Sequence, residues 1–196
     1  MFVTIDGPNG VGKSTLITKL KESLNNYNVY CTREPSDTDL GIRIRNNEEN
    51  VRGLQYAKMI SEDRKNHLQS IIIPKLGECD VVICDRYVVS SLALQVFDGV
   101  SIEHVWEINK DFLIPDLSII IYASEWEIEK RLKTRKSLTY FEKNMSRSNE
   151  ITFYKNAALF LLKKGYNIIS LTSENNNDMV NNVNNISDII TKILVR

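Results

Sequence analysis

The stretch Gly7-Pro8-Asn9-Gly10-Val11-Gly12-Lys13-Ser14 constrains this chain more than any other. It fits GxxxxGK[ST] at every position and lies between a β-branched apolar run, Phe2 to Asp6, and a segment of helical period that starts at Lys13. Gly7, Gly10 and Gly12 let successive backbone N–H groups curl toward phosphate oxygens, and the N-terminus of the following helix adds partial positive charge. Residues Gly7 to Thr15 are therefore expected to cradle a nucleoside triphosphate. In that cradle Lys13 reaches the β- and γ-phosphates, and the Ser14 hydroxyl binds Mg²⁺.

The rest of the chain repeats this strand-then-helix order. Apolar runs recur at Val29 to Arg33, Asp80 to Asp85, Leu117 to Tyr122 and Asn167 to Leu171. Most do not alternate, as strands covered on both faces should not. Helical period is read from Lys13 to about Asn25, about Gly53 to Ile73, Ile102 to Phe112, Trp126 to Arg135, about Ser148 to Lys164, and Asp178 to the C-terminus. In the last of these, Val180, Val183, Ile186 and Ile190 keep a stripe through Asn-rich sequence, which makes it a polar-faced helix and not a linker. The expected fold is α/β: a P-loop NTPase fold with a mainly parallel sheet and helices on both faces. No Pro/Gly/Ser-rich boundary or internal repeat divides the 196 residues, so one domain spanning 1–196 is expected.

Charge narrows the partners. Lys plus Arg number 25 and so do Asp plus Glu; a protein held to nucleic acid by bulk charge needs a surplus of cations, so no nucleic-acid partner is expected. Apolar runs fall short of the roughly 20 residues that span a bilayer, and the N-terminus lacks the pattern of a signal peptide, so a cytoplasmic protein without a membrane partner is expected. Cys31, Cys79 and Cys84 have no ligand spacing and are read as reduced thiols.

Two function classes share such a loop: phosphotransferases with a second substrate, and nucleotide-hydrolysing switches or motors. The Asn109-Lys110-Asp111 triplet lies within a segment of helical period and not after a strand, so it reads as helix surface and not as a guanine reader. Asp85 ends the third apolar run, where open α/β sheets place ligands; it is read as a metal-side or proton-accepting carboxylate, with Arg86 beside it as a phosphate clamp. At the end of the second run, Arg33 offers a fork suited to phosphate and Glu34 a second carboxylate near the metal. Residues 130 to 136, KRLKTRK, carry five bases in seven and read alone as a solvated helix end.

Taken together and in order, GPNGVGKST, TREP at 32–35, Asp63-Arg64 and DRYVVSSLALQ at 85–95 resemble the thymidylate kinases, which are P-loop nucleoside monophosphate kinases. The resemblance runs from residue 1 to about residue 170. It implies Mg²⁺-dependent transfer of the γ-phosphoryl group of ATP to dTMP on a five-stranded sheet, usually in a homodimer, for which Arg52 to Ile73 and the helix after Tyr87 are candidate surfaces. Position by position it implies that Arg33 and Arg86 hold the acceptor's phosphate, that Arg64 hydrogen-bonds the base, that Ser91 and Gln95 face it, and that Asp85 lies at the phosphate and metal side. It also implies that about 130–147 is a short lid whose Arg131 and Arg135 stabilise charge on the transferring phosphoryl oxygens.

The chain departs from the pattern in the part that reads base and sugar. Asn9 stands where the family commonly has an acid that contacts the acceptor's 3′-hydroxyl. Ile60 stands for a stacking Phe, Leu94 for a Tyr that crowds the 2′ position, and Thr139-Tyr140 for Asp-Arg, while Glu142 remains. Kinases for another nucleotide or nucleoside, and an ATP-binding protein without turnover, therefore stay open as alternatives.

Overall fold

The five apolar runs become strands because their side chains fill both faces of one sheet. This computed structural model describes residues 1–195. Its strands β1 (Phe2–Asp6), β2 (Val29–Arg33), β3 (Val81–Asp85), β4 (Leu117–Tyr122) and β5 (Ile168–Thr172) lie in the order β2-β3-β1-β4-β5, and every neighbouring pair is parallel. The sheet is thus wholly parallel where a mainly parallel one is expected from sequence. Alternate residues serve opposite layers: Val3, Ile5, Val81, Ile83, Ile119 and Ile121 pack toward α1 (Lys13–Ser23), α7 (Glu125–Leu132) and α10 (Asn176–Leu194). Phe2, Val82, Cys84 and Ile120 pack toward α3 (Gly53–His67), α5 (Val88–Phe97) and α9 (Arg147–Leu162). Register aligns Asp85 with Ile5 on one side and Arg33 on the other, so Asp6, Asp85 and Arg33 end side by side. From β1 the chain leaves toward β2 on one side of the sheet, and from β3 it crosses back to β4 on the other, which opens a crevice at those carboxyl ends.

Four expectations change. Residues Asp39–Asn46 form a helix, α2, that periodicity does not reveal; it starts at Thr38, whose side chain accepts from Gly41 N. The helix expected to end at Ile73 continues through a π turn (Leu68–Ile72) into α4 (Ile73–Glu78), with Pro74 placed directly after the π turn. The segment Ile102 to Phe112 is helical only as α6 (Ile102–Glu107); Ile108 to Asp111 turn, and Asn109 is buried. Within the basic segment, α7 stops at Leu132, and a short α8 (Tyr140–Asn144) follows with Thr139 and Glu142 as a capping box. Among the described residues no helix is long and apolar enough to cross a membrane.

Candidate active site

The loop after β1 is shaped by backbone that side chains would obstruct. Gly7 has φ 140°, and a Cβ there would sit 2.2 Å from the Ile121 carbonyl oxygen. Gly12 has φ 98° and opens α1, where a Cβ would stand 3.1 Å from Met179. The loop closes on Lys13, whose buried ammonium donates to the carbonyls of Gly7 (2.9 Å) and Pro8 (2.8 Å). Burial and the nearby Arg86 guanidinium push its pKa down to about 7. Ser14 Oγ donates to Asp85 Oδ2 at 3.4 Å, while Asp85 Oδ1 is buried with no hydrogen-bond partner among the described residues.

Arg86 leaves β3 in the left-handed region, at φ 70°, a conformation that non-glycine residues keep when their surroundings enforce it. Its guanidinium donates to Tyr154 Oη (2.7 Å), Ser90 Oγ (3.3 Å) and Asn9 Oδ1 (2.7 Å). Burial opposes its charge, but Tyr154, Asp85 and Glu150 more than offset this and hold it protonated. Behind it, Asp6 accepts from the backbone N–H groups of Tyr87 and Ser90, both at 3.0 Å, and from Ser90 Oγ, so β1 fixes the first turn of α5. Burial raises the Asp6 carboxyl pKa, and these hydrogen bonds hold it back.

A second polar cluster lies at the Arg64 end. Arg64, 1% exposed, donates to Glu34 (2.8 Å), to Ser91 Oγ (3.0 Å) and to Asn109 Oδ1, and its guanidinium lies over the Tyr87 ring. Glu34 Oε1 faces His67 Nδ1 at 3.3 Å. Asp63 takes Ser36 N and Oγ and Thr38 Oγ1, which pins the loop after Glu34. Ile60 and Leu94 line the apolar wall, and the buried Gln95 Oε1 is unpartnered among the described residues. One cavity of about 490 Å³ joins this cluster to the loop, with Lys13, Ser14, Arg33, Asp85, Arg86 and Arg135 on its wall.

One sequence reading, that of Asn109, needs correction, and two other residues are engaged otherwise than expected. Glu34, read as a carboxylate near the metal, is engaged by Arg64 and faces His67. Arg131, expected at the transferring phosphoryl group, lines the same cavity but spends its guanidinium on Val11 O (2.9 Å), Ser173 O (3.0 Å) and Glu127 (2.8 Å). Asn109, read as helix surface, is 2% exposed and holds Arg64, because its turn points the side chain inward. Arg33 and Arg135 do reach the cavity wall but are paired there, Arg33 with Asp37 at 2.6 Å and Arg135 with Glu142. Asp6, Asn109, Glu150 and Tyr154 are the residues that sequence reading misses. Asp6 carries a usable signal, an acid at the carboxyl end of a buried strand, whereas the other three lie in helical or turn sequence and meet the site only through tertiary packing.

A family model described as thymidylate kinase matches residues 5–183. A probable thymidylate kinase of Caldivirga maquilingensis is 35% identical over 201 residues, covering 98% of this chain and 93% of that one. A thymidylate kinase of Finegoldia magna is 32% identical over 99% of this chain and 96% of its own length. Among solved structures, the fold is similar to that of a thymidylate kinase from Ehrlichia chaffeensis, with a TM-score of 0.68 and 24% identity, covering 100% of this chain and 98% of that one.

Proposed function

The chain belongs to the thymidylate kinase family, whose reaction transfers the γ-phosphoryl group of ATP to dTMP to give ADP and dTDP, and from that premise we propose how its own residues perform the transfer. The observation that carries the reading is the cavity that runs from Lys13 in the phosphate loop, past Arg86, to the buried cluster around Arg64. It has room for a donor at one end and a nucleotide base at the other. Lys13 neutralises the β- and γ-phosphates, and Arg86, aimed by Asn9 and Tyr154, holds the acceptor's phosphate in line. Arg33 joins it by leaving Asp37, an exposed pair that costs little to break. The acceptor oxygen is already anionic near pH 7, so no strong general base is needed, and positioning with electrostatics carries the rate.

Ser14 and Asp85 fit Mg²⁺: both offer hard oxygens, and Asp85 Oδ1 is a buried acceptor with no donor among the described residues. Bound there, the ion would supply further neutralisation of phosphate charge. At the far end Ile60 and Leu94 pack against the base, and Ser91 and Gln95 offer polar contacts along α5. Arg135, once released from Glu142, reaches toward the transferring group as residues 130–147 close. The protein acts on small-molecule nucleotides in the cytoplasm as a homodimer; the exposed Leu54 and Ile73 along α3 and α4 support such a pairing, which sedimentation would read.

A coupled ADP-release assay over a panel of nucleoside monophosphates and nucleosides tests the assignment. Preference for dTMP is the expected result. Preference for another acceptor would move the assignment within the phosphotransferases, and ATP binding without acceptor-dependent turnover would overturn it.

A further inference from the structure

Asn9 occupies an unusual place between a buried acid and a buried base. Its backbone N and its Nδ2 both donate to Glu150 Oε1 at 2.8 Å, and its Oδ1 accepts from Arg86 Nη2 at 2.7 Å. A carboxylate can only accept and a guanidinium can only donate, so this contact set fixes which way the carboxamide points. Glu150 is itself fully buried in the first turn of α9; its Oε2 accepts from Arg147 Nη1 at 3.0 Å, and Arg147 is anchored in turn on the carbonyls of Glu142 and Met145. Tyr154, one turn further along α9, takes the other arm of Arg86 at 2.7 Å. One helix therefore grips both ends of the Asn9–Arg86 pair. An acid at position 9 could still accept from Arg86, but it would bring a second carboxylate against the fully buried Glu150.

We propose that Glu150 is a positioning residue for phosphoryl transfer: through the Asn9 carboxamide it aims Arg86 at the acceptor's phosphate, and its charge is what makes Asn and not Asp the working residue at position 9. This rests on the reading of Arg86 as the acceptor-phosphate ligand.

The hydrogen-bond pattern sets the test. Glu150→Gln alone leaves a mismatch in either orientation, with an amide N–H facing either Arg147 or the Asn9 donors. Asn9→Asp alone opposes two carboxylates. In the double variant the new amide at position 150 donates to the new carboxylate at position 9 while its carbonyl accepts from Arg147, and only the backbone N–H of residue 9 loses its acceptor, so the rescue is partial. The carboxylate at position 9 still accepts from Arg86. Turnover and KM for ATP and for the acceptor are measured for the parent, N9D, E150Q and N9D/E150Q, with folding followed by circular dichroism. The expected result is a fall in kcat/KM for the acceptor of at least ~10-fold in N9D and ~3- to 10-fold in E150Q. The double variant should recover at least ~3-fold over N9D, while KM for ATP stays within ~2-fold throughout.

Losses in the double variant equal to the product of the two single losses would overturn the inference, as would an N9D enzyme as active as the parent. If N9D does not fold, E150Q decides: equal losses toward ATP and acceptor would show a general structural role and overturn the inference. A parent that prefers an acceptor other than dTMP allows the same cycle to be run on that acceptor. A parent without acceptor turnover overturns the functional reading and this inference with it, a failure distinct from an active parent without coupling.

Discussion

Lys13 links the residue scale to a measurable proton. With its pKa lowered to about 7, by burial first and then by Arg86, the free protein holds this side chain mostly neutral at pH 8. Phosphate oxygens favour the charged form, so the pKa of the complex lies above that of the free protein. The sign follows: affinity for ATP is highest below pH 7 and falls as pH rises above it, and binding at pH 8 takes up about one proton. Calorimetry at pH 8 in two buffers of different ionisation enthalpy reads this directly. An absence of uptake would remove the neutral lysine from the account. A second residue-scale test concerns stability. Arg64 is sealed at 1% exposure with Glu34 as its counter-charge, so Glu34→Ala strands a buried guanidinium and should cost about 3–5 kcal/mol in urea unfolding. A loss under about 1 kcal/mol would mean that Asn109 and Ser91 suffice.

Among the elements, residues 130–147 set a half-exposed arginine beside a fixed platform. Arg52 pairs with Asp98 at 2.5 Å while lying 3.6 Å from the Tyr140 ring centroid and 4.6 Å from that of Phe141, so α8 is held down by a stacked and ion-paired guanidinium. Arg135 lies outside that platform, half exposed and tied by its pair with Glu142. Such a group can change partners on nucleotide binding, so Arg135→Ala should lower kcat by ~10-fold or more with KM for the acceptor nearly unchanged. The reverse pattern would place Arg135 in acceptor binding. The same segment marks the limit of sequence reading. Strands and long helices are legible, because burial on two faces and an apolar stripe both leave periodic traces. In α2 and α8 the ends are set by side-chain caps, at Thr38 and at Thr139 with Glu142, inside polar sequence where no stripe shows. The phosphate loop, Asp85 and Arg86 are legible because their function fixes local spacing. Glu150, Tyr154 and Asn109 are not, since what brings them to Arg86 and Arg64 is packing between elements far apart in the chain.

For the whole molecule, 25 cations against 25 anions conceal an uneven distribution. Lys13, Arg33, Arg86 and Arg135 face one cavity, and the cations at its centre are partly desolvated. Packing like charges together weakens the free protein, and a polyphosphate relieves that repulsion only in the folded state. Nucleotides should therefore raise thermal stability through binding to the native form alone: a ligand at 100 times its dissociation constant adds about 2.7 kcal/mol, and each kcal/mol moves the midpoint by about 2–4 °C for a domain of this size. Donor and acceptor together bridge both ends of the cavity, so ADP with dTMP should shift the melting midpoint beyond either nucleotide at matched saturation. The shift with inorganic sulfate at equal ionic strength should be smaller, because screening alone does not span from Lys13 to Arg64. Differential scanning calorimetry makes the comparison. Equal shifts from dTMP, ADP and their mixture would mean that one nucleotide closes the cavity by itself, contrary to a site built to hold two.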